Sequence, residues 1–376
     1  MAGLRTPAYV VHDAAQDFKL EEISLGEMQG NELLVEMKYS GICHTDLVFQ
    51  QGKLRVCEYP AVFGHEGAGW VRAIGANVKD KDVKVGDFVL LSINFCEKCK
   101  FCRRGHPADC VEGTRLHLFG VRDDGTTAAT LSGSAESVRA HFFGQSSFSR
   151  FSYVHETCVV RHPYPPQEAA KFAAMGCGYQ TGAGTVLNIL KPEPDGSIVV
   201  FGLGAVGLSA LMAAKSLGLE RIIAVDIQEL KFPIAREVGA TDLVNSRDID
   251  IAAKLKDLTG GAGVDYAIDC TGVPSVIEAM LNSLAMRGSA ATVGVPPTGA
   301  KVQIDPLVYL LGSRRCLGCR EGDSVPKEFV PQLVAMQQKG LFPVEKLVKE
   351  YDYRDMEQAL KDMHDGKVVK PVIRWS

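Results

Sequence analysis

The sequence predicts an α/β protein of two domains, one rich in β structure and one built on a doubly wound parallel sheet. The chain has 376 residues, and a single hydrophobic core rarely grows to that size. The first half is broken into short apolar runs separated by glycine-rich turns, whereas apolar strands alternate with helical stretches from about Cys177 onward. Such alternation is typical of a parallel sheet with helices on both faces.

The β-rich domain is indicated by three apolar runs, LLVEMKYSGI, AGWVRAIGANV and GDFVLLSINF. We interpret them as irregular strands of a partly closed barrel. After about Ser313 the chain turns helical and ends in the apolar stretch VVKPVIRW, which we expect to rejoin this domain. We therefore assign residues 1–178 and 322–376 to it, and residues 179–321 to the parallel-sheet domain.

The parallel-sheet domain is predicted from four apolar strands with helices between them. The strands are SIVVF at 197–201, RIIAVD at 221–226, VDYAIDC at 264–270 and SAATVGV at 289–295. The segment AVGLSALMAAKSLG is the first intervening helix. Residues 196–214 are uncharged and nearly long enough to span a membrane, but their patterned glycines favour a buried strand, turn and helix.

Composition excludes several classes of function. The 41 basic and 45 acidic residues give a net charge of -4, so nothing points to nucleic acid or an anionic membrane as a partner. MAGLRTPAYV lacks the pattern of a signal peptide, and we expect a cytoplasmic protein. In that reducing compartment, the 11 cysteines, an odd number, are expected to bind metal or be buried rather than form disulfides.

A dinucleotide site is predicted where the strand SIVVF meets a glycine-rich turn and a helix. Gly202 permits the tight turn, Gly204 lets the backbone approach a pyrophosphate, and Gly207 allows the helix to pack closely on the strand. Ala205 and Val206, at the start of the helix, place N–H groups toward the phosphates.

The choice of dinucleotide follows from Asp226, which closes the next strand nineteen residues after Gly207. A carboxylate there accepts hydrogen bonds from both ribose hydroxyls and repels a 2'-phosphate. Ile227 offers no basic group to reverse that preference. The sequence therefore predicts NAD rather than NADP.

Four cysteines predict a closed metal site in a lobe at about residues 94–112. Cys96, Cys99, Cys102 and Cys110 stand as C-x2-C-x2-C-x7-C. Four thiolates can surround one zinc ion tetrahedrally and leave no open position. An iron–sulfur cluster is the alternative cargo, but the spacing of the fourth cysteine and the absence of a following proline favour zinc.

The chain resembles the zinc-dependent medium-chain alcohol dehydrogenase family over essentially its whole length. The resemblance lies in the ordered segments GICHTD, GHEGAGWV, the four-cysteine lobe, FFGQSSFSRF, GCGYQTGAG, GLGAVGL and VGVPP. The pair FFGQSSFS and GCGYQTGAG is most similar to the aryl or benzyl alcohol dehydrogenase branch. The resemblance implies a GroES-like catalytic domain and a Rossmann coenzyme domain.

The resemblance also implies a second, catalytic zinc, and so two zinc ions per chain. Its ligands would be Cys43, His65 and Cys177, which leave the fourth position open to water or substrate. The metal would act as a Lewis acid on the alcohol oxygen while NAD accepts the hydride.

Other roles are implied residue by residue. Asp46 would orient His65, Thr45 would begin a proton relay, and Glu66 would lie behind the metal. The residues that would contact the cofactor, besides Gly202, Gly204, Ala205, Val206, Gly207 and Asp226, are His44, Thr181, Lys231, Val295 and Lys370. The alternatives are a helix cap for Asp46, a buried salt bridge for Glu66 and an exposed surface charge for Lys370.

The substrate is expected to be an aromatic or otherwise bulky primary alcohol. Phe142 would line its pocket, with core packing as the alternative. The family often has a histidine where this chain has Val48, so the resemblance does not identify the group that passes the proton to solvent. The apolar segment at 307–319 would pair with its copy in a homodimer, with a tetramer as the other option.

Three other functions remain as alternatives. A glutathione-dependent formaldehyde dehydrogenase shares the whole fold, although Thr114 stands where that enzyme usually has arginine. A zinc-stabilised nucleic-acid-binding protein would explain the basic residues of the lobe but not the dinucleotide fingerprint. A redox-inactive NAD-binding scaffold conflicts with the retention of all three implied catalytic ligands.

Overall fold

The computed structural model describes residues 3–54, 56–162 and 166–376, apart from the side chain of Gln167. The predicted first domain, which starts at residue 1, lies outside the described residues at positions 1–2, 55 and 163–165. No helix within the described residues is long and apolar enough to cross a membrane.

Strands and helices follow one another along the whole described chain. The strands are β1 (Leu4–Val11), β2 (Lys19–Leu25), β3 (Glu32–Gly41), β4 (Ala61–Val62), β5 (Gly67–Ile74), β6 (Phe88–Leu91), β7 (Ala129–Leu131), β8 (Ser137–Val138), β9 (Phe151–His155), β10 (Val159–Arg161), β11 (Ser197–Phe201), β12 (Arg221–Asp226), β13 (Asp242–Asn245), β14 (Val264–Asp269), β15 (Leu284–Thr292), β16 (Arg315–Gly318), β17 (Val348–Asp352) and β18 (Lys370–Arg374). The α-helices are α1 (His44–Gln50), α2 (Gly113–Leu118), α3 (Gly178–Gly184), α4 (Ala205–Ser216), α5 (Phe232–Val238), α6 (Ile251–Leu258), α7 (Pro274–Asn282), α8 (Pro306–Gly312), α9 (Pro326–Gln338) and α10 (Met356–His364).

The chain divides into two compact units. The first comprises Met1–Cys177, Val325–Val334 and Leu347–Ser376, and the second comprises Gly178–Ser324 and Ala335–Lys346. The division differs from the predicted ranges at Gly178, at residues 322–324 and at residues 335–346, all of which lie with the second unit. The longest of these segments is residues 335–346. Their contacts there explain this, because Phe342 packs against Tyr179 at 6.4 Å between ring centroids and Lys346 forms an ion pair with Glu237.

The first unit is built on two sheets. One has the strand order β4-β1-β2-β7-β8, and the other has β10-β6-β5-β3-β18-β17 with β9 also paired to β3. The C-terminal strand β18 pairs antiparallel with β3, with Val372 opposite Gly41. The expected return of the tail to the β-rich domain is thus confirmed. Pairing alone does not test the partly closed barrel, which stays a prediction.

The second unit is a six-stranded sheet in the order β13-β12-β11-β14-β15-β16, and every neighbouring pair is parallel. The doubly wound sheet is confirmed. Strand β11 has the predicted bounds and is buried throughout, as expected for a central strand covered on both faces. Strand β15 starts at Leu284, five residues before the predicted position, and β13 and β16 are strands that the sequence reading did not identify.

His141 lies in the core of the first unit and carries an acid-sensitive contribution to stability. The side chain is fully buried, and burial, together with the positive charges of His155 and Arg122, lowers the pKa of His141 to about 3. In the unfolded chain its pKa is the ordinary 6.5. Between these values the unfolded state binds the extra proton, so stability falls as the pH drops below 6.5 toward 3.

We predict that His141→Gln flattens the pH dependence of unfolding. Removing one such proton changes the slope by up to about 1.4 kcal/mol per pH unit. Denaturant unfolding of both proteins at several values between about pH 5 and pH 6.5 measures the difference. As the pH falls, the native protein should lose stability relative to the variant, whereas parallel curves would show that His141 is not the titrating group.

Candidate active site

The four cysteines of the lobe converge on one point. The sulfurs of Cys96, Cys99, Cys102 and Cys110 lie within 4.8 Å of one another. The Cys99–Cys102 and Cys96–Cys102 distances are 3.5 and 3.9 Å, which bracket the roughly 3.8 Å edge of a tetrahedron with zinc–sulfur bonds of about 2.3 Å. None of the eleven cysteines, all of which lie within the described residues, forms a disulfide. The arrangement therefore fits one tetrahedrally held ion.

Backbone groups of the lobe are directed at the sulfurs. The N–H groups of Cys96, Cys99 and Cys102 donate to the sulfurs of Cys110, Cys96 and Cys99 at 3.3–3.5 Å. Hydrogen bonds from the backbone of Cys102 and Val111 lower the pKa of Cys99 to about 6. Burial instead raises the pKa values of Cys102 and Cys110. Four crowded thiols that share such contacts are the ligand set that a bound cation converts to thiolates.

A second cluster assembles residues that are far apart in the sequence. Ligand atoms of Cys43, His65, Glu66 and Cys177 lie within 4.8 Å of one another, all in the first unit. Cys43 is the residue that caps α1, and His65 lies between β4 and β5. Nε2 of His65 lies 3.2 Å from Sγ of Cys177. Two sulfurs and one imidazole nitrogen are thus brought together in the way that the resemblance implied.

Asp46 fixes the orientation of His65. Its Oδ1 accepts from Nδ1 of His65 at 2.9 Å and from the N–H of Gly64 at 3.0 Å. Its Oδ2 accepts from the N–H of Cys43 at 2.9 Å, which closes the first turn of α1. Because Nδ1 faces the carboxylate of Asp46, Nε2 is the ring nitrogen that is directed at the cluster. Orientation of His65 and helix capping, considered as alternatives from the sequence, are both observed.

The charges around the cluster favour a cation at its centre. A hydrogen bond from Cys177, together with the positive charges of His65 and Lys370, holds the pKa of Cys43 well below its ordinary value although burial opposes this. Burial also works against a charged His65, but Asp46 and Cys43 outweigh it and raise the pKa of that imidazole. These shifts pair a Cys43 thiolate with a protonated imidazole, and a bound dication would take the place of the proton on Nε2.

Glu66 and Lys370 form a buried ion pair behind the cluster. Nζ of Lys370 lies 2.9 and 2.8 Å from the two carboxylate oxygens and donates to the carbonyl of Ile42 at 3.0 Å. Burial raises the pKa of Glu66 more than Lys370 lowers it, and the neighbouring Cys43 adds to the rise. Burial opposes the charge on Lys370, but the charges of Glu66 and Cys43 outweigh it and raise its pKa. The raised pKa of Glu66 favours a neutral carboxyl group, whereas the raised pKa of Lys370 requires a charged one. The two short contacts between them favour the charged pair.

This ion pair revises the predicted role of Lys370. The side chain is 2% exposed, so the alternative of an exposed surface charge is wrong. Its ammonium group contacts Glu66 and Ile42, and the pyrophosphate contact stays a prediction. For Glu66, the buried salt bridge is observed.

The remaining predicted residues of the first unit lie around α1 and in the core. His44 is exposed at the start of α1, Thr45 Oγ1 lies 3.7 Å from Sγ of Cys43, and Val48 is buried. Phe142 has no exposed surface and packs against Phe49, Phe63, His65 and Phe143 with centroids 4.9–5.7 Å apart. These contacts favour core packing over the predicted pocket wall.

Sequence reasoning missed Phe143 and His117. The Phe143 ring stacks on His65 at 4.5 Å and on His117 at 4.8 Å between centroids. No sequence signal identifies such a pair, because aromatic and histidine residues in a mainly buried stretch usually belong to the core.

The nucleotide turn in the second unit has the geometry that its glycines predict. Gly202 has a φ of +89°, and a Cβ at Gly207 would lie 1.9 Å from the carbonyl oxygen of Gly202. A Cβ at Gly204 would meet nothing within 4 Å, so the backbone faces open space where α4 begins. Ala205 and Val206 form the first turn of that helix.

Asp226 is the last residue of β12 and reaches back to this turn. Its Oδ2 accepts from the N–H of Leu203 at 2.7 Å, and Nζ of Lys231 lies 3.2 Å from the same oxygen. Thr181, on α3, lies 3.5 Å from Oε2 of the buried Glu321, which sequence reasoning also missed. Val295 follows β15 and is half exposed.

Comparison with known proteins identifies two matching families along the chain. Residues 29–163 match the alcohol dehydrogenase GroES-like domain, and residues 205–338 match the zinc-binding dehydrogenase model. Geraniol dehydrogenase from Castellaniella defragrans is 34% identical over 97% of this chain and 96% of its own length. The S-(hydroxymethyl)glutathione dehydrogenase of a Synechocystis species is 32% identical over 99% of this chain and 100% of its own.

A crystal structure of benzyl alcohol dehydrogenase from Acinetobacter calcoaceticus is also similar to this chain. It is 39% identical, with a TM-score of 0.92, over 99% of this chain and 100% of that chain.

We predict that Lys370→Met destabilises the protein by about 3–5 kcal/mol, because it leaves the buried carboxylate of Glu66 unpaired. The matched control is the double variant Lys370→Met with Glu66→Met, which removes both charges and should recover much of the loss. Denaturant unfolding measures both. A double variant no more stable than the single one would show that Lys370 stabilises by packing rather than by pairing.

Proposed function

We propose that this chain, which belongs to the zinc-dependent medium-chain alcohol dehydrogenase family, reversibly oxidises aromatic or otherwise bulky primary alcohols with NAD. The observation that carries the proposal is the convergence of Cys43, His65 and Cys177, with Asp46 holding the imidazole. Relatives named for geraniol and benzyl alcohol support the choice of substrate. We also propose that the enzyme acts in the cytoplasm.

Cys43, His65 and Cys177 would hold a zinc ion, and Cys96, Cys99, Cys102 and Cys110 would hold a second one. The first set leaves one position open for a substrate oxygen, as in enzymes with two cysteines and one histidine. When bound there, zinc supplies Lewis acidity that lowers the pKa of the alcohol. The second set is complete without substrate, so its contribution is to stability.

The protein groups hold protons at defined atoms. Asp46 would keep a proton on Nδ1 of His65, which would leave Nε2 available to hold the metal. The hydroxyl of Thr45, next to Cys43, would receive the proton that the alcohol loses and begin its path to solvent. Val48 cannot titrate, so no side chain at that position continues the path.

The second unit would bind NAD. Gly204 and the first turn of α4 would face the pyrophosphate, and Asp226 would accept from the ribose hydroxyls with Lys231 beside it. Thr181 would contact the nicotinamide ring and His44 the pyrophosphate, as the resemblance implies, and Val295 would also contact the cofactor.

The metal assignment is tested by two substitutions. We expect two zinc ions per native chain. Cys43→Ser should lower the turnover of benzyl alcohol by more than about 100-fold, since even outer-shell changes around a metal cost up to that much. It should leave the unfolding midpoint unchanged, whereas Cys99→Ser should lower the midpoint because a closed site couples metal binding to folding. Near-native turnover of Cys43→Ser would overturn the proposed catalytic site.

Cofactor preference is tested at Asp226. We predict that Asp226→Asn narrows the ratio of kcat/KM for NAD over NADP by about tenfold or more, since like charges placed together cost several kcal/mol. The amide loses the charge and keeps an oxygen for the N–H of Leu203, but it gives up the acceptor that the N–H of Gln228 contacts at 2.9 Å. A native enzyme that prefers NADP would contradict the assignment.

A second candidate function is favoured by the S-(hydroxymethyl)glutathione dehydrogenase relative. Thr114, exposed at the start of α2, stands where that enzyme usually has arginine. Comparing kcat/KM for benzyl alcohol, geraniol and S-(hydroxymethyl)glutathione separates the two. A clear preference for the glutathione adduct would favour the second candidate.

We propose a homodimer formed through β16 and α8. Strand β16 is the last in its sheet and is exposed along its length, and Leu310 and Leu311 of α8 are 74% and 67% exposed. Pairing of β16 with its copy would remove an open edge.

Light scattering should give twice the chain mass for the native protein. Leu310→Lys should shift it toward the monomer by placing a charge in the apolar interface. The control Leu341→Lys, on another exposed leucine of the same unit, should leave the mass unchanged. An active native monomer would overturn the dimer.

A further inference from the structure

Three rings of the first unit form a stack that ends on a proposed metal ligand. The Phe143 ring lies between His65 and His117, with interplanar angles of 21° and 18°. Phe143 is 6% exposed, and both histidines are buried. Near-parallel faces at these distances are a favourable arrangement for aromatic rings.

The backbone of Phe143 is held in an unfavourable conformation to make this stack. Its φ of 53° and ψ of 23° lie in the left-handed region, which residues other than glycine rarely adopt. Such conformations persist only where the surrounding contacts impose them. The two histidine faces are among the contacts that hold the ring here, together with the ring of Phe142 at 4.9 Å.

The stack opposes a motion of His65 that its contacts at Nδ1 and Nε2 leave open, and the ring of Phe142, 5.7 Å away at 77°, also contacts the imidazole. Asp46 lies against Nδ1 and Cys177 against Nε2, and both contacts are at the rim of the ring. Contacts at these two atoms fix the line that joins them but do little to prevent the ring from tilting about that line. Phe143 covers a face and therefore opposes the tilt.

His117 is in turn held by both ends of the four-cysteine lobe. Its Nε2 donates to the carbonyl of Asn94 at 2.6 Å, two residues before Cys96. It lies on α2, which begins three residues after Cys110, and the N–H of Gly113 donates to the carbonyl of Cys110 at 2.8 Å. Closing four thiolates on one ion brings these two ends of the lobe together.

We propose that Phe143, supported by His117, is a positioning residue for His65 and couples the four-cysteine lobe to the metal site of Cys43, His65 and Cys177. The inference rests on the proposed function, because it needs a metal at that site. In this proposal the four-cysteine lobe does more than stabilise its own fold. It holds His117, on which Phe143 stacks, and Phe143 in turn aligns His65.

The test is the rate at which a chromogenic chelator removes zinc from the purified protein without substrate. The relevant phase is the one that disappears in Cys43→Ser. Phe143→Leu keeps apolar bulk but loses the planar face. It should accelerate this phase about tenfold, the smaller end of the loss in metal affinity that follows when a group supporting a metal ligand is removed. His117→Leu should do the same, and the double variant should be no faster than either single one. Phe143→Tyr keeps the face and should stay near the native rate.

The matched control is Phe88→Leu. Phe88 is also 6% exposed and also packs on a histidine, His162, at 6.1 Å, but that histidine belongs to neither metal cluster. A rate in Phe143→Leu no higher than in Phe88→Leu would overturn the inference. If His117→Leu does not fold, the release rates of Phe143→Leu and Phe143→Tyr are compared instead, and equal rates would overturn the inference. If no zinc-release phase depends on Cys43, the proposed function itself falls, and this inference with it.

Discussion

The carboxylate of Asp46 is the contact on which the proposed active site depends. It is fully buried and accepts from three N–H groups, those of Cys43, Gly64 and the His65 ring. One group therefore starts α1, fixes the loop before β5 and sets the protonation of the imidazole. A buried carboxylate is costly unless such donors surround it, so the loss of any of them would disturb the other two.

The C-terminal strand adds a second constraint from the opposite end of the chain. Lys370, at the start of β18, contacts the carbonyl of Ile42 and the carboxylate of Glu66, the neighbours of Cys43 and His65. Cys43 and His65, the two proposed ligands that are 22 residues apart, are thus linked by a residue more than 300 positions away. The pairing of β18 with β3 is what places it there.

Sequence patterns predicted the features that depend on residues close together in the chain. The cysteine spacing predicted the lobe and the glycine spacing predicted the turn after β11, because each depends on a few adjacent residues. Cys43, His65 and Cys177 were recognised only by resemblance, since long-range strand pairing brings them together. Phe143, His117 and the burial of Lys370 escaped prediction for the same reason: tertiary contacts, not intrinsic preferences, decide the left-handed backbone of Phe143 and the partner of a buried lysine.

Zinc K-edge X-ray absorption of the purified protein tests the central claim, that Cys43, His65 and Cys177 hold one metal ion and the lobe holds another. Averaged over both sites, each zinc should show about three sulfurs at about 2.3 Å and about one nitrogen or oxygen at roughly 2.0–2.1 Å. An average of four sulfurs, with no nitrogen or oxygen shell, would mean that only the lobe binds zinc and would contradict the account.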